Sequence, residues 1–117
     1  MTPAPIKPEI EFDDLEKIDL RVGTITAVSE VEKSRKLLRL HVDFGDHTRT
    51  ILSGMKQERE DQQSLVGVQT LFVVNLAPRK MAGELSEGML FDLGFSDGVK
   101  PMLAIPESPM PSGCRAG

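Results

Sequence analysis

The segment LLRLHVDFG, residues 37–45, constrains the fold most, because apolar and polar side chains alternate along it. The apolar series consists of Leu38, Leu40, Val42 and Phe44. Alternation with a period of two predicts a β-strand that has one face in the core and the other in water. The turn residues GDHT (45–48) and the run RTILSG (49–54) then predict an antiparallel partner strand.

Three further segments have the composition of strands. They are LRVGTITAVSEV (20–31), VQTLFVVNL (68–76) and SEGMLFDLG (86–94). The first is rich in β-branched residues, and Gly23 within it predicts a bulge or a sharp bend. In the last, Met89, Phe91 and Leu93 alternate with Leu90 and Asp92. The chain therefore has five predicted strands.

Two segments predict helical structure. FDDLEKID (12–19) predicts one helical turn, with Asp13 or Asp14 accepting hydrogen bonds from the amides that follow. KQEREDQQSLV (56–66) lacks Gly and Pro and predicts a short helix that ends near Gly67. Five strands with a short helix between strands 3 and 4 are the element order of the OB-fold, so we expect an all-β, five-stranded barrel.

A chain of 117 residues suits a single domain. Residues 1–11 are acidic and rich in proline, so we expect a flexible arm, and residues 12–117 are expected to form the OB-fold domain. Within it, residues 99–117 lie beyond the fifth strand and carry apolar side chains without an obvious place in the barrel. These are Met102, Leu103, Ile105 and Met110. Prolines restrict this extension to extended backbone, so we predict that it forms a homodimer interface.

Charge is distributed unevenly, although the formal net charge is −4. Residues 1–20 carry six acids and two lysines, whereas residues 33–80 carry nine Lys or Arg and five acids. A basic middle segment can bind an anionic partner in spite of the overall negative charge.

Catalysis and metal binding have no support in the sequence. Cys114 lies in a Pro/Gly-rich tail, and His41 and His47 have neither a third histidine nor a cysteine near them. No nucleophile with its base and no pair of acids for proton transfer is evident. We therefore expect a protein that is not an enzyme and needs no cofactor.

The location expected from the sequence is the cytoplasm. A single cysteine permits no intrachain disulfide, the N-terminus lacks the apolar region of a signal peptide, and no apolar run is long enough to cross a bilayer.

Aromatic composition limits the kind of nucleic acid that such a barrel would bind. OB-folds that hold single strands stack bases on exposed aromatic rings. This chain has no Trp or Tyr, and three of its five phenylalanines, Phe44, Phe72 and Phe91, are core candidates in strands. Structured RNA, recognised through shape, phosphates and 2′-hydroxyls, is therefore the expected ligand.

The segments IDLRVG (18–23), RKLLRLHVDFG (35–45) and VNLAPRKMAGELSEGMLF (74–91) together resemble the tRNA-binding domain family. That family includes the C-terminal appendage of many methionyl-tRNA synthetases, free-standing bacterial tRNA-binding proteins and CsaA-type chaperone-like proteins. The resemblance covers about residues 12–115. It implies an OB-fold that binds the folded corner of tRNA, acts as a homodimer when free-standing, and has an aminoacyl-tRNA synthetase as a possible partner.

The resemblance also implies a set of RNA-binding residues. They are Lys36, Asn75, Lys80, Ser86 and Met89, with Arg79 as a neighbouring candidate. Three of them have alternative roles that the residues leave open: Asn75 as a cap of a turn, Ser86 as a bond to its own backbone, and Met89 as a core residue.

A CsaA-type chaperone function is the alternative. A groove lined by Met81, Leu85 and Met89 would bind an extended apolar segment of an unfolded polypeptide. The Gly-Met pair at 88–89 favours tRNA binding over this alternative, because the CsaA-type branch often lacks it.

Overall fold

The computed structural model describes residues 1–117 as a β-barrel with small additions at both ends. Its strands are β1 (Leu20–Glu30), β2 (Leu38–Asp43), β3 (Thr48–Ser53), β4 (Gln69–Val73), β5 (Arg79–Met81), β6 (Glu84–Ser86), β7 (Met89–Leu90), β8 (Asp92–Leu93) and β9 (Met102–Leu103). Its helical elements are α1 (Phe12–Glu16) and two short 3₁₀ turns, Gln62–Leu65 and Phe95–Asp97. No helix is long and apolar enough to span a membrane.

Five antiparallel strands form the main sheet in the order β3-β2-β1-β4-β7. The alternation predicted for residues 37–45 is confirmed, because all four apolar residues of the series are at most 2% exposed. Together with Ile25, Ile51 and Phe72 they form the centre of the core cluster. The predicted five-stranded barrel is therefore confirmed.

Of the two features predicted for Gly23, a bulge or a sharp bend, the bulge lies elsewhere in β1. The β1–β2 register shifts between Ile25 and Ala27, two residues further along the chain. Gly23 instead serves packing, because a Cβ on it would lie 2.4 Å from Val42 Cγ1 and 2.8 Å from Phe44 Cε1. The absence of a side chain lets Val42 of β2 and Phe72 of β4 pack over this position.

The helix predicted over residues 56–66 is also wrong in extent, because only Gln62–Leu65 forms a 3₁₀ turn. Asp61 begins that turn by accepting a hydrogen bond from the Gln63 amide. The segment is mostly polar, and a short helix without an apolar face to pack gains little from tertiary contacts. At the N-terminal turn, Asp14 accepts from the preceding amide of Glu11 at 3.2 Å, where bonds from following amides were expected.

The predicted fifth strand is divided at Phe91. β7 pairs with β4, whereas β8 pairs with β9 of the C-terminal extension. The Phe91 side chain is 43% exposed, so its assignment to the core was wrong, and Leu90 is the buried residue of this strand.

The C-terminal extension packs on the barrel of its own chain, although the sequence showed no obvious place there for its apolar side chains. Leu103 packs against the core cluster. The Thr70 hydroxyl donates to the Ala104 carbonyl at 3.0 Å, and the Gln69 side chain exchanges two hydrogen bonds with the backbone of Met110.

The last residues of the extension run along β1. The Gly113 amide donates to the Val22 carbonyl at 2.7 Å, and the Val22 amide donates to the Cys114 carbonyl at 2.8 Å. A third bond runs from the Ala116 amide to the Leu20 carbonyl at 2.8 Å. Through these bonds, residues 113–116 lie beside the first half of β1 in the manner of an additional strand.

Candidate functional site

The hairpin formed by β5 and β6 carries most of the residues that the sequence indicated. Its register pairs Arg79 with Ser86, Lys80 with Leu85 and Met81 with Glu84. Because cross-strand partners share a face, Lys80 and Leu85 lie on one side of the hairpin, and Ser86 and Glu84 lie on the other. Arg79 shares the side of Ser86 but is exposed, at the start of β5. Lys80 and Leu85 are exposed, while Ser86 is buried, so the hairpin presents Lys80 to solvent and its opposite face to the barrel.

A bidentate ion pair fixes this hairpin to the barrel wall. Arg39 of β2 donates from Nε to Glu84 Oε1 at 2.7 Å and from Nη2 to Oε2 at 2.5 Å. Its Nη1 donates to the Ser29 hydroxyl at 2.7 Å. The Arg39 guanidinium lowers the pKa of the Glu84 carboxyl below its usual value, so Glu84 is charged at neutral pH. Sequence reasoning missed this pair, since its members are 45 residues apart.

Ser86 lies in the seam of the barrel, the place where β3 meets the segment that contains β6 and β7. Its side chain is 2% exposed, and its hydroxyl accepts from the Leu52 amide at 3.0 Å and donates to the Gly88 carbonyl at 2.9 Å. The next residue, Glu87, exchanges bonds with Thr50 of β3, through its own amide at 2.9 Å and through Oε1 at 3.0 Å. These contacts join β3 to the β6–β7 segment, where few direct strand-to-strand bonds are made.

The position of Ser86 bears on its expected role as an RNA contact. A hydroxyl that already has a donor and an acceptor, and that solvent does not reach, contacts no ligand unless the seam opens. The geometry therefore matches the alternative in which Ser86 bonds its own backbone.

We expect Ser86→Ala to destabilise the fold by about 2 kcal/mol, because it leaves the buried Leu52 amide without an acceptor. Urea unfolding monitored by circular dichroism measures the change. Ser108→Ala removes an exposed hydroxyl that makes no hydrogen bond within the chain and serves as the control. Equal stability of wild type and Ser86→Ala would show that the bond to Leu52 contributes nothing.

Asn75 is exposed, but its amide holds two neighbouring backbone groups. Nδ2 donates to the Lys17 carbonyl at 2.6 Å, and Oδ1 accepts from the Asp19 amide at 2.9 Å. The side chain thus fixes the junction between α1 and β1 against the turn that follows β4. This arrangement matches the alternative of a turn cap.

Lys36, Arg79 and Lys80 are exposed, and their side chains make neither a hydrogen bond nor an ion pair within the chain. Lys36 lies in the β1–β2 connection. The hairpin tip, Ala82–Glu84, approaches the same connection and lines with it a cleft of about 270 Å³. The structure therefore brings the hairpin tip close to the loop that carries Lys36.

Met89 is not a core residue, because its side chain is 45% exposed. It pairs with Val73 at the edge of the main sheet. The alternative that assigned it to the core is wrong, and it is available for contact with a ligand.

Comparison with known proteins gives a consistent set of relatives. The model of a family described as "Putative tRNA binding domain" matches residues 20–115. Methionine–tRNA ligase of Bacteroides fragilis is 48% identical over 94 residues, which are 80% of this chain and 14% of the ligase. The corresponding ligase of Parabacteroides distasonis is 47% identical over the same length. The chain therefore spans about a seventh of these relatives.

Two solved structures cover nearly the whole chain. A MetRS-related protein from Pyrococcus horikoshii is 32% identical, with a TM-score of 0.86 over 95% of this chain and 100% of that one. The chaperone CsaA from Bacillus anthracis is 28% identical, with a TM-score of 0.83 over 94% of this chain and 100% of that one.

Proposed function

This chain belongs to the tRNA-binding domain family, and on that premise we propose that it binds the folded corner of tRNA as a homodimer and does no chemistry itself. The supporting observation is the group of three free cations, Lys36, Arg79 and Lys80, on the hairpin and on the loop beside the hairpin tip. Cations without an internal carboxylate partner lose no ion pair when they bind phosphates.

The hairpin also has the rigidity that such binding needs. Arg39 and Glu84 hold it to β2, so Arg79 and Lys80 are positioned before RNA arrives. A preorganised contact loses less conformational entropy on binding than a mobile one. Methionine–tRNA ligases among the relatives favour tRNA as the ligand and a synthetase as a partner.

We expect Lys80→Glu to weaken tRNA binding at least tenfold, because it replaces an attraction to phosphate with a repulsion. About four phosphate contacts give a log-log salt slope near −3, and the variant is expected to reduce that slope by about 0.8. Filter binding between 50 and 200 mM salt measures both quantities. Lys7→Glu makes the same charge change in the exposed arm and serves as the control. Equal affinity of both variants would place Lys80 outside the site.

The homodimer is supported by exposed apolar side chains around the C-terminal extension. They are Phe91, Leu93, Val99, Met102, Ile105 and Met110, each 41–64% exposed. Leu93 and Met102 are cross-strand partners in β8 and β9 and share one outward face. Exposed apolar side chains that are concentrated in one segment of the chain are typical of an interface between subunits.

We expect the protein to sediment as a dimer at micromolar concentration and Met102→Lys to convert it to a monomer. Met102 is 54% exposed, so its replacement is expected to leave the fold intact while placing a charge in the interface. Leu85→Lys alters a side chain that is 58% exposed on the hairpin, and the dimer is expected to persist in that control. A monomeric wild-type protein would refute the proposal.

Binding of unfolded polypeptides is the second candidate function, favoured by the similarity to the chaperone CsaA from Bacillus anthracis. Exposed Leu85 and Met89 would provide the apolar contacts. Competition between total tRNA and a reduced, unfolded protein in the same filter-binding assay separates the two functions. Binding of the unfolded protein without binding of tRNA would favour the chaperone function.

A further inference from the structure

Arg49, which the sequence did not single out, has an unusually fixed guanidinium. Its Nη1 donates to the carbonyls of Val74 at 2.6 Å and Glu87 at 3.0 Å, and its Nε donates to His47 Nε2 at 3.0 Å. The guanidinium carbon lies 5.9 Å from the centre of the Phe44 ring. Contacts on several sides leave Arg49 little freedom to change rotamer.

Arg49 lines an open cleft of about 410 Å³ at the end of the barrel. The lining residues are His47, Thr48, Arg49, Val74, Leu76, Pro78 and Glu87. This volume lies within the range of small-molecule sites and is large enough for a nucleoside. Pro78 immediately precedes β5, so the cleft adjoins the hairpin that carries Arg79 and Lys80.

The cleft contains two opposite charges that do not pair with each other. Glu87 uses Oε1 to accept from the Thr50 amide, while Oε2 has no partner in the structure. Arg49 has no hydrogen bond from Nη2 and no carboxylate oxygen within 4.0 Å. The lining of the cleft therefore includes a free donor and a free anionic acceptor, and Leu76 and Pro78 provide apolar surface.

We propose that this cleft binds one unpaired guanine of the bound RNA, an inference that rests on the proposed function. Arg49 donates to the guanine O6, and Glu87 accepts from the N1–H and the N2 amino group. Guanine is the only one of the four bases that presents two adjacent N–H donors to a carboxylate, and Arg contacts to its O6 are favourable. A bare phosphate fits less well, because the Glu87 carboxylate would repel it.

Single-stranded segments of structured RNA are recognised in this way, through the hydrogen-bonding edges of unstacked bases. The adjoining Arg79 and Lys80 would then hold the phosphates next to the bound base. The cleft would add base preference to a surface that otherwise reads charge and shape.

The test is a titration of the full chain with mononucleotides, in which NMR chemical shifts are recorded at each step. We expect guanosine monophosphate to shift the amide signals of Thr48 and Leu76 and the side-chain Nε signal of Arg49. Its affinity is expected to exceed that of adenosine monophosphate about tenfold, since it makes an additional charge-assisted bond. Inosine monophosphate, which lacks the N2 amino group, is expected to bind with intermediate affinity. Equal effects of the three nucleotides, or the same shifts with inorganic phosphate, would overturn the proposal.

Glu87→Gln is the matching variant. The amide oxygen of Gln can still accept from Thr50, so the seam is expected to persist, while the free carboxylate oxygen is replaced by a donor. We expect the preference for guanosine monophosphate to disappear with the melting temperature unchanged. Glu60→Gln makes the same charge change at an exposed residue between β3 and β4 and is expected to keep the preference.

Two further measurements keep the result interpretable. Leu76→Ala removes apolar surface from a half-exposed residue of the cleft and is expected to weaken the binding of guanosine monophosphate several-fold. This variant tests the cleft if Glu87→Gln fails to fold. Binding of tRNA is measured on the same wild-type sample. If tRNA binds but the protein shows no preference among the mononucleotides, the guanine site is wrong and the proposed function stands. If tRNA does not bind, both the proposed function and the guanine site are wrong.

Discussion

Removal of residues 99–117 is expected to abolish stable folding. The extension supplies three backbone hydrogen bonds to β1 and places Leu103 against the core. Thr70 and Gln69 make three further hydrogen bonds to its backbone. At about 1 kcal/mol for each of the six bonds and about 2 kcal/mol for the leucine, the loss is about 8 kcal/mol, which is comparable to the whole stability of a small domain, about 5–15 kcal/mol. Loss of the cooperative melting transition in circular dichroism checks this.

Removal of residues 1–10 is the matched control. These residues are exposed, lie outside every helix and strand, and make no backbone hydrogen bonds. We expect their removal to leave the melting temperature unchanged. If the C-terminal truncation instead melts cooperatively within a few degrees of the intact chain, the extension contributes only to association and not to the barrel.

Gly88→Ala is expected to destabilise the fold by about 3 kcal/mol or more, the second large effect. Gly88 has a φ of 148°, and a Cβ on it would lie 2.8 Å from the Val73 carbonyl oxygen and 3.3 Å from Ile51 Cδ1. Because the Val73 oxygen belongs to the backbone of β4, it cannot move without disturbing the sheet. Thermal and urea unfolding measure the change.

Gly54→Ala provides the comparison for that substitution. Nothing lies within 4 Å of a Cβ at Gly54, and its φ is not positive. We expect a change of no more than about 0.5 kcal/mol there. Similar stabilities of the two variants would mean that β4 and β7 separate enough to admit a methyl group, and the tight seam inferred from Ser86 and Gly88 would then be wrong.

The effects expected for Ser86→Ala and Gly88→Ala bear on how the Ser-Glu-Gly-Met element, residues 86–89, contributes to function. Ser86 and Gly88 hold the seam between β3, β4 and β7, and Glu87 bridges to Thr50 beside them. Met89 is the member of the element whose side chain stays exposed without such a bond. In the proposed complex, most of this motif would therefore shape the binding surface, and the free lysines and arginine would contact the RNA.

Several features of this protein follow from the sequence by itself. The alternation at residues 37–45 determined which face of β2 is buried, because successive side chains of a strand point to opposite sides whatever the rest of the chain does. The strand order and the lack of Trp and Tyr favoured a barrel without a base-stacking platform. The spacing of PRKMAGELSEGM was specific enough to indicate the family.

Only the tertiary structure decided which polar side chains remain free for a ligand. Arg39 and Lys80 look alike as sequence letters, yet Arg39 is paired with Glu84 and Lys80 has no partner. Ser86 and Asn75 each had two possible roles until the closed barrel brought Leu52 and Lys17 within hydrogen-bond distance. These pairings join residues far apart in the chain, so they depend on how the barrel closes and on where the C-terminal extension returns, and no local pattern of residue types encodes either.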